Sequence, residues 1–105
     1  MDSETKVFTV IISEGAGQML VSHARFLAQV NEAAATRLIE DFQSKAKSLE
    51  QYPERNPVLI DPLITSGKYR KLLLEKRYLL IYQIKSSVVN VDAVVDTRQD
   101  YGWLL

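Results

Sequence analysis

The sequence predicts an α+β fold in which an antiparallel sheet of about four strands is covered on one face by an N-terminal helix hairpin. Three observations predict this fold. Two neighbouring segments, residues 18–30 and 31–49, carry apolar side chains at helical spacing. Residues 67–100 contain three apolar runs separated by short polar breaks, the pattern of consecutive antiparallel strands. Residues 6–12 are rich in β-branched and aromatic side chains and predict a further strand.

The length and composition predict one domain without a metal or cofactor. The chain has 105 residues, 47% of them hydrophobic, which suits one compact domain and is too short for two. We therefore expect residues 1–105 to form a single domain. With no cysteine and one histidine, neither a disulfide framework nor a thiolate or histidine metal cluster is expected. Asp92 and Asp96 lack a third ligand at suitable spacing, so no cofactor or metal is implied.

The charge balance argues against a general nucleic-acid binder. The 13 basic and 13 acidic residues give a formal net charge of zero. Nucleic-acid binders generally carry a positive excess, because their affinity comes from replacing counterions along the phosphate backbone. Residues 68–85 nevertheless concentrate basic side chains in a local patch. These side chains either bind a phosphate or a partner, or they are solvated residues that guard a strand edge.

The sequence also predicts where the protein is found. Residues 1–12 lack the basic start and apolar run of a secretory signal. No apolar run approaches the roughly 20 residues that span a bilayer. A soluble, cytoplasmic protein is therefore expected.

Two helices are predicted in the first half of the chain. The first covers residues 18–30, with Ser13 as a candidate N-cap and two glycines that weaken the intervening turn. His23 lies near the middle of its apolar stripe. A half-buried histidine bonded to a neighbouring element explains this position, and a general base is the alternative. Asn31 is the predicted cap of the second helix, whose apolar stripe consists of Ala35, Leu38, Ile39, Phe42, Ala46 and Leu49.

A loop and three strands follow the helices. Residues 51–66 lose periodicity and contain three prolines, which predicts a connecting loop with a short turn of helix. Strands are predicted at residues 69–74, 78–84 and 88–95. In the last strand, alternate apolar residues are expected to share one face, which predicts a sheet covered on one side and open on the other. These residues are Val89, Val91, Ala93 and Val95.

The chain resembles the toxins of the RelE/ParE superfamily, which belong to bacterial toxin–antitoxin pairs. The segment FLAQVNEAAATRLIEDF, followed by SLEQYP, is similar to the paired helices of this family, which end before a proline. The segment YRKLLLEKRYLLIYQI is similar to its central hairpin. VVNVDAVVDTRQDY is similar to its last strand with a terminal arginine. Together these pieces span nearly the whole chain in the order of the family.

The resemblance implies a small toxin that arrests growth until its cognate antitoxin neutralises it. RelE-like members cut messenger RNA in the ribosome, whereas ParE-like members inhibit DNA gyrase. The implied partners are therefore an antitoxin and either DNA gyrase or the ribosome with its mRNA. A further reading is a degenerate member that binds an antitoxin-like partner and has no toxic target.

The family's nuclease pattern is matched only in part. If the chain is RelE-like, the resemblance makes Arg70, Arg98 and Tyr101 the catalytic residues, with the two arginines suited to phosphate binding. Leu72 and Leu79 stand where such an enzyme has a lysine and an arginine. The catalytic set is incomplete, which favours the ParE-like reading.

Other residues are candidates for binding a partner. Lys68, Lys71 and Arg77 are candidates for contacts with phosphate or with a protein. In the ParE-like reading, the helix hairpin and the C-terminal segment form a protein-binding surface. Trp103 and Leu105 are candidate antitoxin contacts, and packing onto the core is the alternative for both.

Overall fold

The structure has the α+β architecture that the sequence predicts. It is a computed structural model and describes residues 6–62 and 66–97. Two helices lie against one face of a four-stranded sheet with strand order β1-β4-β3-β2. The elements, in chain order, are β1 (Thr9–Ile12), α1 (Glu14–Ala28), α2 (Glu32–Ser48), a 3₁₀ helix (Pro53–Arg55), β2 (Arg70–Leu74), β3 (Tyr78–Lys85) and β4 (Val88–Asp96).

The sheet is mixed, with one parallel pair. β2, β3 and β4 form the predicted antiparallel meander. β1 pairs with β4 in parallel, which differs from the wholly antiparallel sheet expected. The reason lies in the connection: the helix hairpin and loop return the chain to the end of the sheet at which β1 begins. β2 therefore runs in the direction of β1, and two reversals later β4 does so too.

Both helices begin at the predicted caps. The Ser13 side chain accepts a hydrogen bond from the backbone N–H of Ala16, and Asn31 does the same for Ala34. α1 starts four residues before the predicted start at Gln18, because the cap compensates for the glycines of its first turn. Neither helix in the described part of the chain is long and apolar enough to cross a membrane.

The main core fills the space between the helices and the sheet. α2 contributes the predicted stripe, in which Ala35, Leu38, Phe42 and Ala46 are buried and Ile39 lies at the exposed margin. Burying each large apolar side chain contributes about 1.5–3 kcal/mol, so this face carries most of the stability of the hairpin. The buried members from all elements are Phe8, Ala16, Leu38, Phe42, Ala46, Leu49, Leu74, Tyr78, Leu80, Tyr82, Val89, Val91 and Val94.

A β-bulge in β4 redirects half of that strand. Ile81 faces Ala93, but the next residue of β3, Tyr82, faces Val91, which leaves Asp92 as an extra residue on β4. Because side chains alternate across a strand, the extra residue turns Ala93 and the residues after it to the opposite side from their predicted face.

The prediction that one face of the sheet is open is therefore wrong. Val89 and Val91 lie in the main core, whereas Ala93 and Val95 lie in a second cluster on the far face. That cluster is buried as well. Its other members are Leu59, Tyr69, Leu79 and Ile81.

α1 covers the edge of β4 beyond the end of β1. The backbone N–H of Ser13 donates to the Val91 carbonyl at 3.0 Å. Further along, the His23 Nε2 lies 2.9 Å from the Val94 carbonyl oxygen, so this nitrogen carries the proton that the carbonyl accepts. The His23 ring also lies against Tyr78, with 4.8 Å between ring centroids. His23 thus has the structural role predicted for it.

The turn between β2 and β3 has an unusual backbone. The N–H of Arg77 donates to the Leu74 carbonyl at 3.0 Å, which closes the turn. Its central residues, Glu75 and Lys76, have φ angles of 48° and 61°. Such angles favour glycine, because a Cβ clashes with the backbone there. Asp41 of α2 accepts a hydrogen bond from the Glu75 N–H at 2.9 Å and holds the turn in place.

Replacing Lys76 with glycine is expected to stabilise the fold. Lys76→Gly relieves the left-handed strain and should raise the free energy of unfolding by about 0.5–1 kcal/mol in urea titrations. Lys85→Gly is the matched control, since Lys85 is an exposed strand residue without a positive φ. It should lower the stability by a similar amount. A loss of stability in Lys76→Gly would contradict the assignment of strain to this turn.

Candidate functional site

Arg70 binds the backbone of the loop that precedes the meander. Its Nη1 donates to the Glu54 carbonyl at 2.9 Å and to the Asn56 carbonyl at 2.7 Å. The side chain is half-buried, and its residue pairs with Tyr82 across the strands. Arg70 was predicted to bind phosphate. In the structure, one nitrogen of its guanidinium is instead bonded to two backbone carbonyls of the same chain.

Tyr82 binds the same loop through its hydroxyl group. Its side chain is fully buried, and its hydroxyl donates to the Pro53 carbonyl at 2.6 Å. The same hydroxyl accepts a hydrogen bond from the Asn56 side-chain amide at 3.1 Å. We call Asn56, Arg70 and Tyr82 the loop anchor. Together they attach the 3₁₀ helix and the residues after it to the sheet.

Burial changes the acidity of the tyrosine in this anchor. Removing the hydroxyl from water raises the pKa of Tyr82 above its ordinary value of 10.0, because the phenolate is the charged form. The hydrogen bond from Asn56 and the positive charge of Arg70 act in the opposite direction and are smaller effects.

Two lysines, Lys68 and Lys71, are close to Arg70 in the sequence. Lys68 is exposed and lies over the ring of Tyr69, with 5.2 Å between its Nζ and the ring centroid. Lys71 is half-buried, and its position opposite Ile81 places it on the face of the sheet away from Arg70. Arg70 and Lys71, the two basic residues of β2, therefore cannot bind one phosphate group together.

Arg77 forms an ion pair at the other end of the meander. Its Nε and Nη2 each lie 3.3 Å from the Oδ2 of Asp96, which is buried at the end of β4. The guanidinium also lies 5.4 Å from the ring centroid of Tyr78. Tyr78 and Arg70 are four residue pairs apart along the β2–β3 ladder, which corresponds to about 13 Å.

The predicted site residues that the structure describes do not form one cluster. Leu72 packs against the main core and Leu79 is buried on the far face, so the positions without the family's cations are occupied by structural residues. Within residues 6–62 and 66–97, no group of acidic or histidine side chains has the arrangement of a metal site. Four predicted residues lie outside the described residues: Arg98, Tyr101, Trp103 and Leu105.

A second candidate surface lies along the outer side of α1. Val21 is 46% exposed there, and Phe26 and Val30 at the end of the helix are 57% and 82% exposed. Side chains at helical spacing line a shallow groove on this side, namely Glu14, Gln18, Val21, Ser22 and Arg25, together with Gly17. We call these residues, with Phe26 and Val30, the α1 surface. Exposed apolar side chains are common at protein-binding surfaces.

Comparison with known proteins shows the class to which this protein belongs. A family model described as the ParE toxin of the type II toxin–antitoxin system parDE matches residues 10–101. The protein is therefore a toxin of a type II toxin–antitoxin system. The chain belongs to the ParE toxin family, and the predicted membership of the RelE/ParE superfamily is confirmed.

A solved structure supports the fold. The chain is similar to one chain of a chromosomal ParDE toxin–antitoxin system from P. aeruginosa, with a TM-score of 0.70 and 13% sequence identity. The similarity covers 86% of this chain and 96% of the other. The comparison with curated proteins gives no match.

The loop anchor was not predicted from the sequence. Asn56 precedes a proline in an aperiodic segment, and Tyr82 has the same apolar spacing as its neighbours. Neither residue has a local signal for a contact across the 26 residues that separate them. The bulge, in contrast, has one: Ala93, Val94 and Val95 are consecutive apolar residues, which indicates burial on both faces.

Removing the Tyr82 hydroxyl is expected to destabilise the fold. Tyr82→Phe leaves the Pro53 carbonyl without its donor and Asn56 without its acceptor, which should lower the free energy of unfolding by about 1–3 kcal/mol. Chemical denaturation measures this change. Tyr69→Phe is the control, since Tyr69 is also buried but donates no hydroxyl hydrogen bond in the described part of the chain. Equal losses in the two variants would contradict the role of the anchor.

Stability is also expected to fall at high pH because of Tyr82. The unfolded chain releases this proton near pH 10, whereas the folded chain keeps it until the raised pKa is reached. Between these two values, each pH unit should lower the free energy of unfolding by up to about 1.4 kcal/mol. The difference between wild type and Tyr82→Phe isolates this contribution from other groups that titrate there. A difference that stays constant above pH 10 would contradict the prediction.

Proposed function

We propose that this single-domain toxin acts in the cytoplasm and arrests growth by inhibiting DNA gyrase, rather than by cutting mRNA, until its cognate antitoxin binds it. The main observation behind this choice of target is that Arg70 donates to two backbone carbonyls of its own chain. Membership of the ParE toxin family supports the same choice.

The chemistry of RNA cleavage disfavours the nuclease reading. Cutting RNA through its 2′-hydroxyl needs a group that removes the proton, cations that stabilise the phosphate and a donor for the leaving oxygen. Leu72 and Leu79 are packed into the two cores, so neither position can supply a charge. The net charge of zero also gives no positive field to attract the ribosome.

The α1 surface suits a protein partner better than a phosphate. The groove sets the apolar Val21 beside the polar groups of Gln18 and Arg25, and Phe26 and Val30 add further exposed apolar area, a combination typical of interfaces between proteins. In this proposal the α1 surface contacts gyrase. The antitoxin neutralises the toxin by laying an extended or helical segment across the sheet or the helix hairpin, where Trp103 and Leu105 are candidate contacts.

Induction of the chain alone distinguishes the two targets. Growth should stop while messages stay intact, plasmid DNA should lose supercoils, and the purified protein should block supercoiling by gyrase. Sequencing of message ends and gel analysis of plasmids measure the two effects. New message ends together with normal supercoiling would overturn the proposal. Arg98→Ala should leave the arrest in place, whereas a nuclease would lose its activity.

A matched pair of variants tests the α1 surface. Phe26→Glu places a charge in the proposed interface and should weaken the inhibition of gyrase by at least about tenfold. Ile39→Glu is the control, because Ile39 is 37% exposed on α2 and lies outside the α1 surface. Circular dichroism and thermal melting confirm that each variant folds. Equal inhibition by the two variants would remove α1 from the interface.

A further inference from the structure

Four exposed side chains of α1 form a straight row along the helix. An α-helix has about 3.6 residues per turn and rises about 1.5 Å per residue, so Glu14 and Arg25 lie three turns apart on the same side. Gln18 and Val21 lie between them in the same line. All four side chains are exposed. We call these four residues the α1 row.

The two ends of the α1 row carry opposite charges. The Gln18 Nε2 donates to the Glu14 Oε2 at 3.3 Å, which keeps the carboxylate in line with the row. Within residues 6–62 and 66–97, neither Glu14 nor Arg25 belongs to an ion pair. Each charge suits its own end of the helix, because the helix dipole favours an acid in the first turn and a base in the last.

A second helix can approach the α1 row closely. Gly17 and Ser22 flank the row and are both small. The space beside Gly17 is open, since a Cβ added there would have no contact within 4 Å. His23, which packs against β4, lies on the opposite side of the helix. The sheet of the same chain therefore lies behind the row and does not obstruct it.

We propose that the α1 row pairs with the α1 row of a second copy of the chain, in antiparallel orientation. A two-fold axis between Gln18 and Val21 places Glu14 of each copy opposite Arg25 of the other, so that two ion pairs form. The two Val21 side chains meet beside the axis, about 4.5 Å apart along it. Antiparallel packing also sets the positive end of each helix beside the negative end of the other.

Charge complementarity selects both the occupant and its direction. The two-fold rotation exchanges Glu14 with Arg25, so the row is complementary to itself at both charged positions. A parallel pair of rows would instead place like charges together at both ends. An unrelated helix would need a base and an acid at the same spacing of three turns, which a second α1 already has.

The proposed contact is small and therefore weak. Three turns of two helices bury less than the roughly 1,600 Å² of a standard interface, so the dissociation constant should lie between about 10 µM and 1 mM. The dimer covers the groove of the α1 surface. If the proposed function holds, a second copy competes with gyrase for this groove. The dimer itself does not depend on which target the toxin has.

Sedimentation equilibrium of the purified chain tests the dimer. The average mass should rise with concentration from 11.9 kDa towards twice that value. Glu14→Arg and Arg25→Glu should each raise the dissociation constant at least about tenfold, because each places like charges together twice in the dimer. Glu40→Arg is the matched control, since Glu40 is an exposed acid of α2 and the change in net charge is the same as in Glu14→Arg. It should leave the dimer unchanged.

A variant that carries both substitutions separates pairing from folding. When Glu14→Arg and Arg25→Glu are combined, opposite charges face each other again, and the dissociation constant should return close to the wild-type value. Both charges then oppose the helix dipole, so this recovery cannot come from a more stable helix. Circular dichroism shows that each variant folds.

Two results would refute the dimer. One is a wild-type chain that stays monomeric up to about 1 mM, and the other is a combined variant that dimerises no better than the single ones. Because sedimentation uses no gyrase, either result leaves the proposed target untouched.

Discussion

The fold depends on β4. Both faces of this strand are buried, and the backbone groups along both of its edges need hydrogen-bond partners. β3 pairs along one edge over its whole length, whereas β1 covers only the first half of the other. Past the end of β1, α1 takes over that edge, and His23 donates to the Val94 carbonyl that would otherwise be unpaired. The position of α1, and with it the α1 surface, follows from this requirement.

The bulge at Asp92 explains why the sheet has two buried faces. By adding one residue, it sends Val91 to the helices and Ala93 to the far side, where Leu59 of the loop packs. The loop reaches both faces of the sheet: the loop anchor holds its 3₁₀ helix on the helix side, where Tyr82 lies in the main core, and Leu59 packs on the far side. Arg70 and Tyr82 are consequently part of the framework, and a basic strand residue here has a structural role.

This framework supports the proposal that the chain is not a nuclease. Arg70 and Arg77 lie at opposite ends of the meander, and each binds groups of its own chain, namely the Glu54 and Asn56 carbonyls for Arg70 and Asp96 for Arg77. In the proposed function, the dispersed cations of the sheet do not form a phosphate site, and the α1 surface is the part that binds a protein. The exposed Phe26 and Val30 support this proposed role of the α1 surface.

The sequence by itself determined the local elements and the family. Helical periodicity, the caps at Ser13 and Asn31 and the order of the strands were all sufficient for the α+β fold. Only the tertiary structure decided the parallel pairing of β1, the bulge and the partners of Arg70. The physical reason is range: periodicity and capping act within a few residues, whereas these features depend on groups that meet only after the chain has folded.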